Sequence, residues 1–251
     1  MSKNISASLL NRAKALVAEL GWLDAVIYVL DTVLHRLTKR QCVWKYYLFA
    51  QPVPTAMLLP PSRGRSIEII PIPPGDPVIN GIDRPKAVIG ERFRQGAICL
   101  GAFKSNDLIG FLWFVIGPYE EDEVRCRFVP LPEGQAAWDF DVYLDPAYRT
   151  GLAFGRLWDE ANAYLRQRGV GWTMSRISAF NLTSIRSHKK LGAIKVGSAL
   201  YLRAGKYQMT LSTLPPYVHL SAKAETAPAI QVPAPGRTAR TPRLPIPPSA
   251  R

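Results

Sequence analysis

The sequence is short of the residues that mark secreted, zinc-binding and membrane-spanning proteins. Its three cysteines, Cys42, Cys99 and Cys126, are far apart and form no Cys-x-x-Cys pair, so neither a disulfide framework nor a zinc site is expected. The longest apolar stretch, Trp22 to Leu37, contains two aspartates, a histidine and an arginine, which is too polar for a transmembrane helix. Residues 1–21 lack the uninterrupted apolar segment of a secretory signal. We therefore expect a cytoplasmic protein.

The common catalytic signatures are also missing. The sequence contains no Gly-x-Ser-x-Gly, Gly-x-x-x-x-Gly-Lys-[Ser/Thr], His-Glu-x-x-His or Gly-x-Gly-x-x-Gly motif. The three histidines, His35, His188 and His219, are isolated from one another. Serine hydrolases and metal hydrolases therefore find no support, and no metal is expected.

Acidic residues are scarce relative to basic ones. There are 32 Lys and Arg against 19 Asp and Glu, giving a net charge of +13 in 251 residues. Such a surface attracts nucleic acid, anionic membranes or phosphate-rich ligands such as nucleotides and coenzyme A. The basic residues are scattered and no nucleic-acid recognition motif is present, so no specific nucleic-acid partner is expected. A solvated basic surface is the simplest explanation of the charge alone.

The pattern of apolar residues divides the chain into three parts. Residues 1–40 read as a helical extension, with a second, very apolar helix from Asp24 to Leu37. That helix either packs on the main domain or lies in a membrane interface. We favour packing, because Asp24 and Asp31 would oppose an anionic bilayer. Residues 222–251 contain seven prolines and predict a disordered, basic tail.

Residues 41–212 predict a folded body that alternates strands with three helices. The predicted helices are Arg84–Gln95, Leu152–Arg168 and Leu182–Leu191. The predicted strands are Val43–Val53, Ile67–Ile72, Ala97–Phe103, Leu108–Ile116, Val124–Val129, Trp138–Leu144, Trp172–Ala179, Ile194–Arg203 and Lys206–Leu211.

Two strand–turn–helix units carry the residues best placed for chemistry. In the first, Arg149, Thr150 and Gly151 stand at the start of the long helix, where unpaired amides and the helix dipole favour an anion. In the second, Asn181, Ser184 and His188 are spaced by three and four residues. That spacing places their side chains on one face of the short helix.

These units resemble the GNAT superfamily of acyl-CoA-dependent N-acyltransferases over roughly Ser66 to Leu211. The segment Leu144-Asp145-Pro146-Ala147-Tyr148-Arg149 is similar to the end of the family's fourth strand. Asn181, with His188 seven residues later, keeps the spacing of the family's Asn and Tyr. The family's pyrophosphate loop, Arg-x-x-Gly-x-Gly or Ala, is altered here. In the run Arg149 to Gly155, glycines are displaced by one residue, and Leu152 and Phe154 occupy positions that are usually small.

The resemblance implies an α+β fold. It implies an α/β sandwich with a mixed, mainly antiparallel central sheet, helices on both faces and an N-terminal helical extension. The domain would cover residues 41–212.

The resemblance also implies a ligand and a site. The co-substrate would be acetyl-CoA or another acyl-CoA. Backbone groups of Tyr143 and Leu144 would line the pantetheine arm. Asn181 would bond the pantetheine arm or a relay water, and Ser184 would also contact the cofactor. The pyrophosphate loop would be formed by Arg149, Thr150, Gly151, Leu152, Ala153 and Gly155. His188, in the position of the family's Tyr, would protonate the leaving thiolate.

The general base is left open by the sequence. Asp139 and Asp141 alternate with apolar residues along the strand Trp138–Leu144 and so share its polar face. The acidic run Glu120 to Glu123 is an alternative base or a collar for a cationic acceptor, and a water relay is a third route.

Two functional hypotheses follow. The first is an N-acyltransferase that moves an acetyl or other acyl group to a small-molecule or peptide amine. The second, favoured by the altered loop, is a catalytically silent GNAT-like binding or regulatory module. Contact with a membrane surface is compatible with either, as is a homodimer built from the leading helices and the strand Val43–Val53.

Overall fold

The computed structural model describes residues 14–149 and 151–236. The helices are α1 (14–20), α2 (Trp22–Thr38), α3 (Lys86–Arg94), α4 (Ala153–Gln167) and α5 (Leu182–Lys190). The strands are β1 (Val43–Pro52), β2 (Glu68–Ile72), β3 (Ile98–Lys104), β4 (Asp107–Ile116), β5 (Tyr119–Glu120), β6 (Arg127–Leu131), β7 (Ala136–Leu144), β8 (Trp172–Ser178), β9 (Ile194–Ala204), β10 (Tyr207–Ser212), β11 (Val218–Ser221) and β12 (Ala229–Pro233).

The described strands form a large sheet and a small one. The nine-stranded sheet has the order β11-β10-β9-β1-β8-β7-β4-β3-β2, and the three-stranded sheet has the order β12-β6-β5. In the large sheet every neighbouring pair is antiparallel except β7 and β8. The predicted fold class, a mixed and mainly antiparallel sheet with helices on both faces, is confirmed.

The two faces of the large sheet bury different apolar clusters. On one face, α3 and the small sheet pack against Trp113, Phe140 and Trp138. On the other, the apolar stripe of α4 packs against the sheet through Leu157, Trp158, Ala161 and Leu165. Alternation of side chains along each strand produces this division. Strands β7 and β8 meet in the middle of the sheet, between the two clusters.

Strand β1 lies in the interior of the sheet. It is hydrogen-bonded to β8 on one side and to β9 on the other, both antiparallel. With both edges paired, β1 offers no free edge to a second chain. The predicted extent of this strand agrees with the structure, whereas its neighbours follow it by more than a hundred residues in the chain.

The disordered tail predicted from residue 222 is wrong as far as residue 236. A short 3₁₀ turn, Ala224–Thr226, leads into β12, which pairs in parallel with β6. Ile230 and Val232 are fully buried, so this segment adds apolar contacts that offset its ordering entropy. The alternation of the inward residues Ile230 and Val232 with Gln231 indicated a strand, but the high proline content of the segment favoured the prediction of disorder. The rest of that predicted tail lies outside the described residues, as do residues 1–13 of the helical extension.

The helix α2 packs on the domain by a narrow face. Its buried residues are Asp24, Ala25 and Ile27, and the Tyr47 hydroxyl of β1 donates a hydrogen bond to Asp24. Within the described residues, no helix has both the length and the apolar character needed to span a bilayer.

Candidate active site

Strands β7 and β8 pair only at their beginnings. Three parallel pairs join them, from Ala136 with Trp172 to Trp138 with Met174. Within residues 14–149 and 151–236, β7 continues beyond these pairs to Leu144 with β4 as its only strand partner, and β8 continues to Ser178 with β1 as its only strand partner. The separating strands leave two facing edges with unused backbone donors and acceptors. An extended ligand can use such an edge as an added strand does.

A bulge bends β7 inside this opening. The register with β4 shifts between Phe111 and Trp113, and Asp141 has a φ of 50°, in the left-handed region that non-glycine residues rarely adopt. The bulge turns the Asp141 carboxylate toward two arginines, Arg84 and Arg92, at 2.6 Å each. Both carboxylate oxygens therefore already accept charge-assisted bonds, which hold Asp141 to the two arginines.

Asp139 stands where the two strands begin to separate. It is 1% exposed, and burial raises the pKa of its carboxyl to about 7, an effect that the nearby Thr173 and Ser175 hydroxyls partly oppose. A carboxyl with this pKa changes charge near neutral pH, as a general base requires. Asp139 and Asp141, predicted as one polar face, thus have different surroundings because the bulge lies between them.

Several buried polar atoms of β7, β8 and α4 lack a hydrogen bond of standard geometry within the described residues. They include Asp139 Oδ1, Thr173 Oγ1 and Ser175 Oγ on the strands, and Trp158 Nε1 and Asn162 Oδ1 on α4. Buried polar groups are normally satisfied by protein or ordered water. Thr173 and Ser175 were absent from the predicted site. The alternation of Thr and Ser with Met174 and Arg176 along β8 was the available signal.

The amino end of α4 follows β7 after the turn Pro146–Tyr148. The backbone amides of Leu152, Ala153 and Gly155 have no hydrogen-bond acceptor in the described ranges. Arg149 is tied to the end of β7, because its Nε donates to the Leu144 carbonyl at 2.9 Å. Free amides, the positive end of the helix dipole and arginine together suit a phosphate group. The predicted loop residue Thr150 lies outside the described residues.

The segment between β1 and β2 packs on the first two turns of α4. The amides of Leu58 and Leu59 donate to the Asp159 carboxylate at 2.6 and 3.1 Å. Gly155 faces Leu59, where an added Cβ would lie 2.8 Å from the leucine side chain. The displaced glycine of the altered loop thus permits a close packing contact.

Arg156, which the sequence reasoning missed, lies beside this contact. A Cβ on Gly64 would be 2.9 Å from its Cγ, and its Nε is buried without a partner in the described chain. It adds a second arginine to the end of α4. Its place directly after the run Arg149 to Gly155 was the signal in the sequence.

The residues predicted on α5 have separate structural positions. The Asn181 side chain caps the helix by accepting a hydrogen bond from the Ser184 amide at 3.0 Å, and Ser184 itself is half-buried. Asn181 also lines a cavity of about 270 Å³ between the leading helices and α5, with Leu20, Tyr28 and Phe180.

His188 is buried in the core. It is 4% exposed, its Nδ1 lies 3.2 Å from Gln51 Oε1, and its ring packs edge-on against Trp158 at 5.7 Å. Burial lowers the pKa of its imidazole to about 4, so the ring is neutral at pH 7. No hydrogen bond or ion pair in the described residues connects it with Asp139 or Asp141. These surroundings do not favour its predicted role as the proton donor to a thiolate.

The acidic run Glu120 to Glu123 is a set of ion pairs rather than a solvated loop. Glu121 pairs with Arg176 of β8 at 2.7 Å. Burial alone would raise the pKa of the Glu121 carboxyl, but the charge and the hydrogen bond of Arg176 lower it below its usual value. Asp122 pairs with Arg92 of α3 at 2.5 Å, so the run bridges elements on both sides of the opening. Arg92 itself lies over the Trp113 and Phe140 rings, at 5.4 and 5.2 Å from their centroids. Arg92 and Arg176 were not predicted.

Tyr143 and Leu144 end β7 at the mouth of the opening. Leu144 is buried and Tyr143 is 42% exposed, with its ring stacked on Phe111 at 5.4 Å. Both residues pair with β4, and the Leu144 carbonyl accepts the Arg149 side chain. A separate groove of about 520 Å³ lies between the 3₁₀ turn Pro77–Gly81 and α3. Among the described residues, no cluster of His, Cys, Asp and Glu is arranged to hold a metal ion.

Comparison with known proteins gives matches in the solved structures only. No protein-family model matches the chain, and no curated protein matches it.

Three of the solved structures that resemble the chain carry acetyltransferase names. A protein assigned to the GNAT acetyltransferase family from Novosphingobium aromaticivorans is 14% identical, with a TM-score of 0.39 over 63% of this chain and 62% of its own. A GNAT acetyltransferase from Elizabethkingia anophelis, with acetyl-CoA bound, is 13% identical, with a TM-score of 0.39 over 50% and 74%. A ribosomal-protein-alanine N-acetyltransferase from Brucella melitensis is 23% identical, with a TM-score of 0.32 over 43% and 59%.

The chain spans less than two thirds of the length of the first of these structures. At such identities and TM-scores the likeness concerns the shape of the fold. It carries no argument about activity or substrate.

Proposed function

We propose that this protein is an acyl-CoA-dependent N-acyltransferase that moves an acyl group from a thioester to an amine. The observation that carries the proposal is the separation of β7 from β8 after three residue pairs, with the free amides of α4 next along the chain. The opening provides a strand edge for an extended arm, and the helix end provides a site for phosphate. Acyl-CoA joins these two chemical features in one molecule.

The amino end of α4 would hold the phosphates. The amides of Leu152, Ala153 and Gly155 are free of acceptors within the described chain, and Arg149 and Arg156 add positive charge. Arg149 also connects the loop to the end of β7, because it bonds the Leu144 carbonyl. The two parts of the ligand would therefore be held by one continuous piece of backbone. When bound, acyl-CoA supplies the activated thioester.

Asp139 would accept the proton that the amine loses. Its pKa of about 7 gives a mixture of charged and neutral forms at neutral pH, so it can take up a proton and release it again. Because the carboxyl is fully buried, we propose that ordered water or the Thr173 and Ser175 hydroxyls carry the proton to it. His188 is assigned to packing, and the Asp141 carboxylate to holding Arg84 and Arg92.

A thermal-unfolding titration tests the binding part of this proposal. Acetyl-CoA and a longer acyl-CoA should stabilise the protein saturably, by about 2.7 kcal/mol at a hundred times Kd. Acetyl-pantetheine, which has the arm but no pyrophosphate, should stabilise it far less. Arg149→Ala and Arg156→Ala should weaken acyl-CoA binding.

Arg168→Ala is the matched control, because Arg168 follows the other end of the same helix. No stabilisation by any thioester would overturn the proposal. Saturable binding without release of free thiol, across a panel of small-molecule and peptide amines, would instead identify a silent binding module.

A further inference from the structure

We propose that one face of α2 docks the protein on an anionic lipid surface. This face, called the α2 face below, consists of seven apolar residues: Trp22, Leu23, Val26, Val29, Leu30, Val33 and Leu37. They are between 45% and 76% exposed. The inference is independent of the acyltransferase proposal.

The α2 face is a continuous stripe. At 3.6 residues per turn, its seven residues fall within an arc of about 120° and extend over about 22 Å of the helix. Trp22, at 71% exposed, stands at one end and Leu37, at 76%, at the other. A helix with so wide an apolar arc normally buries it, yet α2 buries only Asp24, Ala25 and Ile27 against the domain.

The charges of α2 are sorted in the way that an anionic surface requires. Asp24 is buried and accepts from the Tyr47 hydroxyl, and Asp31 is half-buried, so both carboxylates lie on the side turned away from the stripe. The exposed residues from 22 to 40 include Arg36, Lys39 and Arg40 and no acid. The objection that two aspartates would oppose an anionic bilayer is therefore removed by the packing of the helix.

Charge complementarity selects lipid over a second copy of the chain. A partner α2 would present the same basic residues and no carboxylate to pair with them. Anionic headgroups supply that countercharge, while the acyl region takes up the apolar stripe. An exposed tryptophan beside a row of aliphatic residues suits the boundary between the two regions.

Docking through the α2 face places the bilayer beside the turn that joins β8 to α5. On a flank of α2, the Tyr28 ring packs edge-on against Phe180 at 5.2 Å, and Phe180 directly precedes the capping residue Asn181.

Vesicle flotation tests this proposal. The full chain should float with vesicles of phosphatidylcholine and phosphatidylserine, and much less with phosphatidylcholine alone. The double variant Val26→Glu with Val33→Glu should lower the partition coefficient at least about tenfold. The matched control is Val218→Glu with Leu220→Glu, two equally exposed apolar residues on β11, which should leave flotation unchanged.

A charge-reversal variant and tryptophan fluorescence test the same surface without depending on the folding of the Val26→Glu, Val33→Glu variant. Arg36→Glu with Arg40→Glu leaves the stripe intact and should weaken binding to the anionic vesicles only. Trp22 is exposed and Trp172 is half-buried, whereas Trp44, Trp113, Trp138 and Trp158 are buried. Brominated lipid should therefore quench part of the emission, and Trp22→Phe should remove that quenching while flotation persists.

Two results would overturn the proposal. One is equal flotation of the wild type and the α2-face variant. The other is absence of wild-type flotation together with a concentration-dependent dimer that the α2-face variant dissociates, because the face would then bind a second copy.

Discussion

At the scale of single residues, burial shifts the pKa values of two groups, Asp139 and His188, in opposite directions. Asp139 has a pKa raised to about 7 by burial, and His188 has a pKa lowered to about 4 by burial. Each therefore favours its neutral form in the folded protein. The two groups make different predictions for activity and for stability.

Asp139→Asn should lower kcat by about a hundredfold or more, because the isosteric amide cannot take a proton. In the wild type, kcat should rise with pH through about 7 as the carboxyl becomes charged. Asp107→Asn, at an exposed carboxylate where β4 begins, is the control for loss of charge alone. A variant that keeps wild-type kcat and its pH profile would remove Asp139 from the reaction.

The same substitution should change how stability depends on pH. The unfolded carboxyl loses its proton near 3.8 and the folded one near 7, so between these values the folded state holds more protons. As pH rises over that range, the free energy of unfolding of the wild type should therefore fall by about 1.4 kcal/mol per pH unit relative to Asp139→Asn. Denaturant unfolding at pH 5, 6 and 7 measures this slope. If the free energy of unfolding of both proteins depended on pH in the same way, the pKa of Asp139 would not be raised by burial.

His188→Gln should leave the pH profile of kcat unchanged, because the ring is buried against Trp158 and hydrogen-bonded to Gln51. The unfolded histidine binds a proton below 6.5 and the folded one only below about 4. The wild type should therefore lose stability as pH falls from 6.5 to 4, and the variant should lose less. If the substitution abolished the alkaline limb of the rate profile, His188 would regain the role of proton donor.

At the scale of elements, β12 shows how a proline-rich segment can belong to the core. Ile230→Ala should destabilise the protein by about 2–5 kcal/mol, because a fully buried side chain leaves a cavity. Gln231→Ala, at the half-buried position next to it, should cost far less. Chemical denaturation of both variants measures the difference, and equal stabilities would mean that β12 contributes little to the core.

Element boundaries were predicted well where one periodicity dominates. The predicted Leu152–Arg168 and the observed Ala153–Gln167 differ by one residue at each end, because the apolar stripe and Gly169 mark the helix clearly. The short strands β5, β11 and β12 were missed. Each has too few residues for alternation to be distinguished from loop composition, and the partner of β12, strand β6, is distant in sequence.

At the scale of the whole molecule, the insertion of β1 between β8 and β9 was not predictable from the chain. The strand itself was recognised from its aromatic and β-branched residues, but strand order depends on contacts across more than a hundred residues. The three pairs that join β7 to β8 are likewise a property of the assembled sheet. Both features position the candidate site.

Local patterns in the sequence determined the helices, most strands, the amino end of α4 as a candidate anion site and the candidate acids Asp139 and Asp141. These features depend on residues within a few positions of one another, so periodicity and capping are enough to predict them. Only the tertiary structure decided the surroundings of each of those acids. The bulge points the Asp141 carboxylate toward Arg84 and Arg92, whereas Asp139 is buried at the opening. Ionisation depends on burial and on charges brought together from distant segments, and these arise only when the sheet has formed.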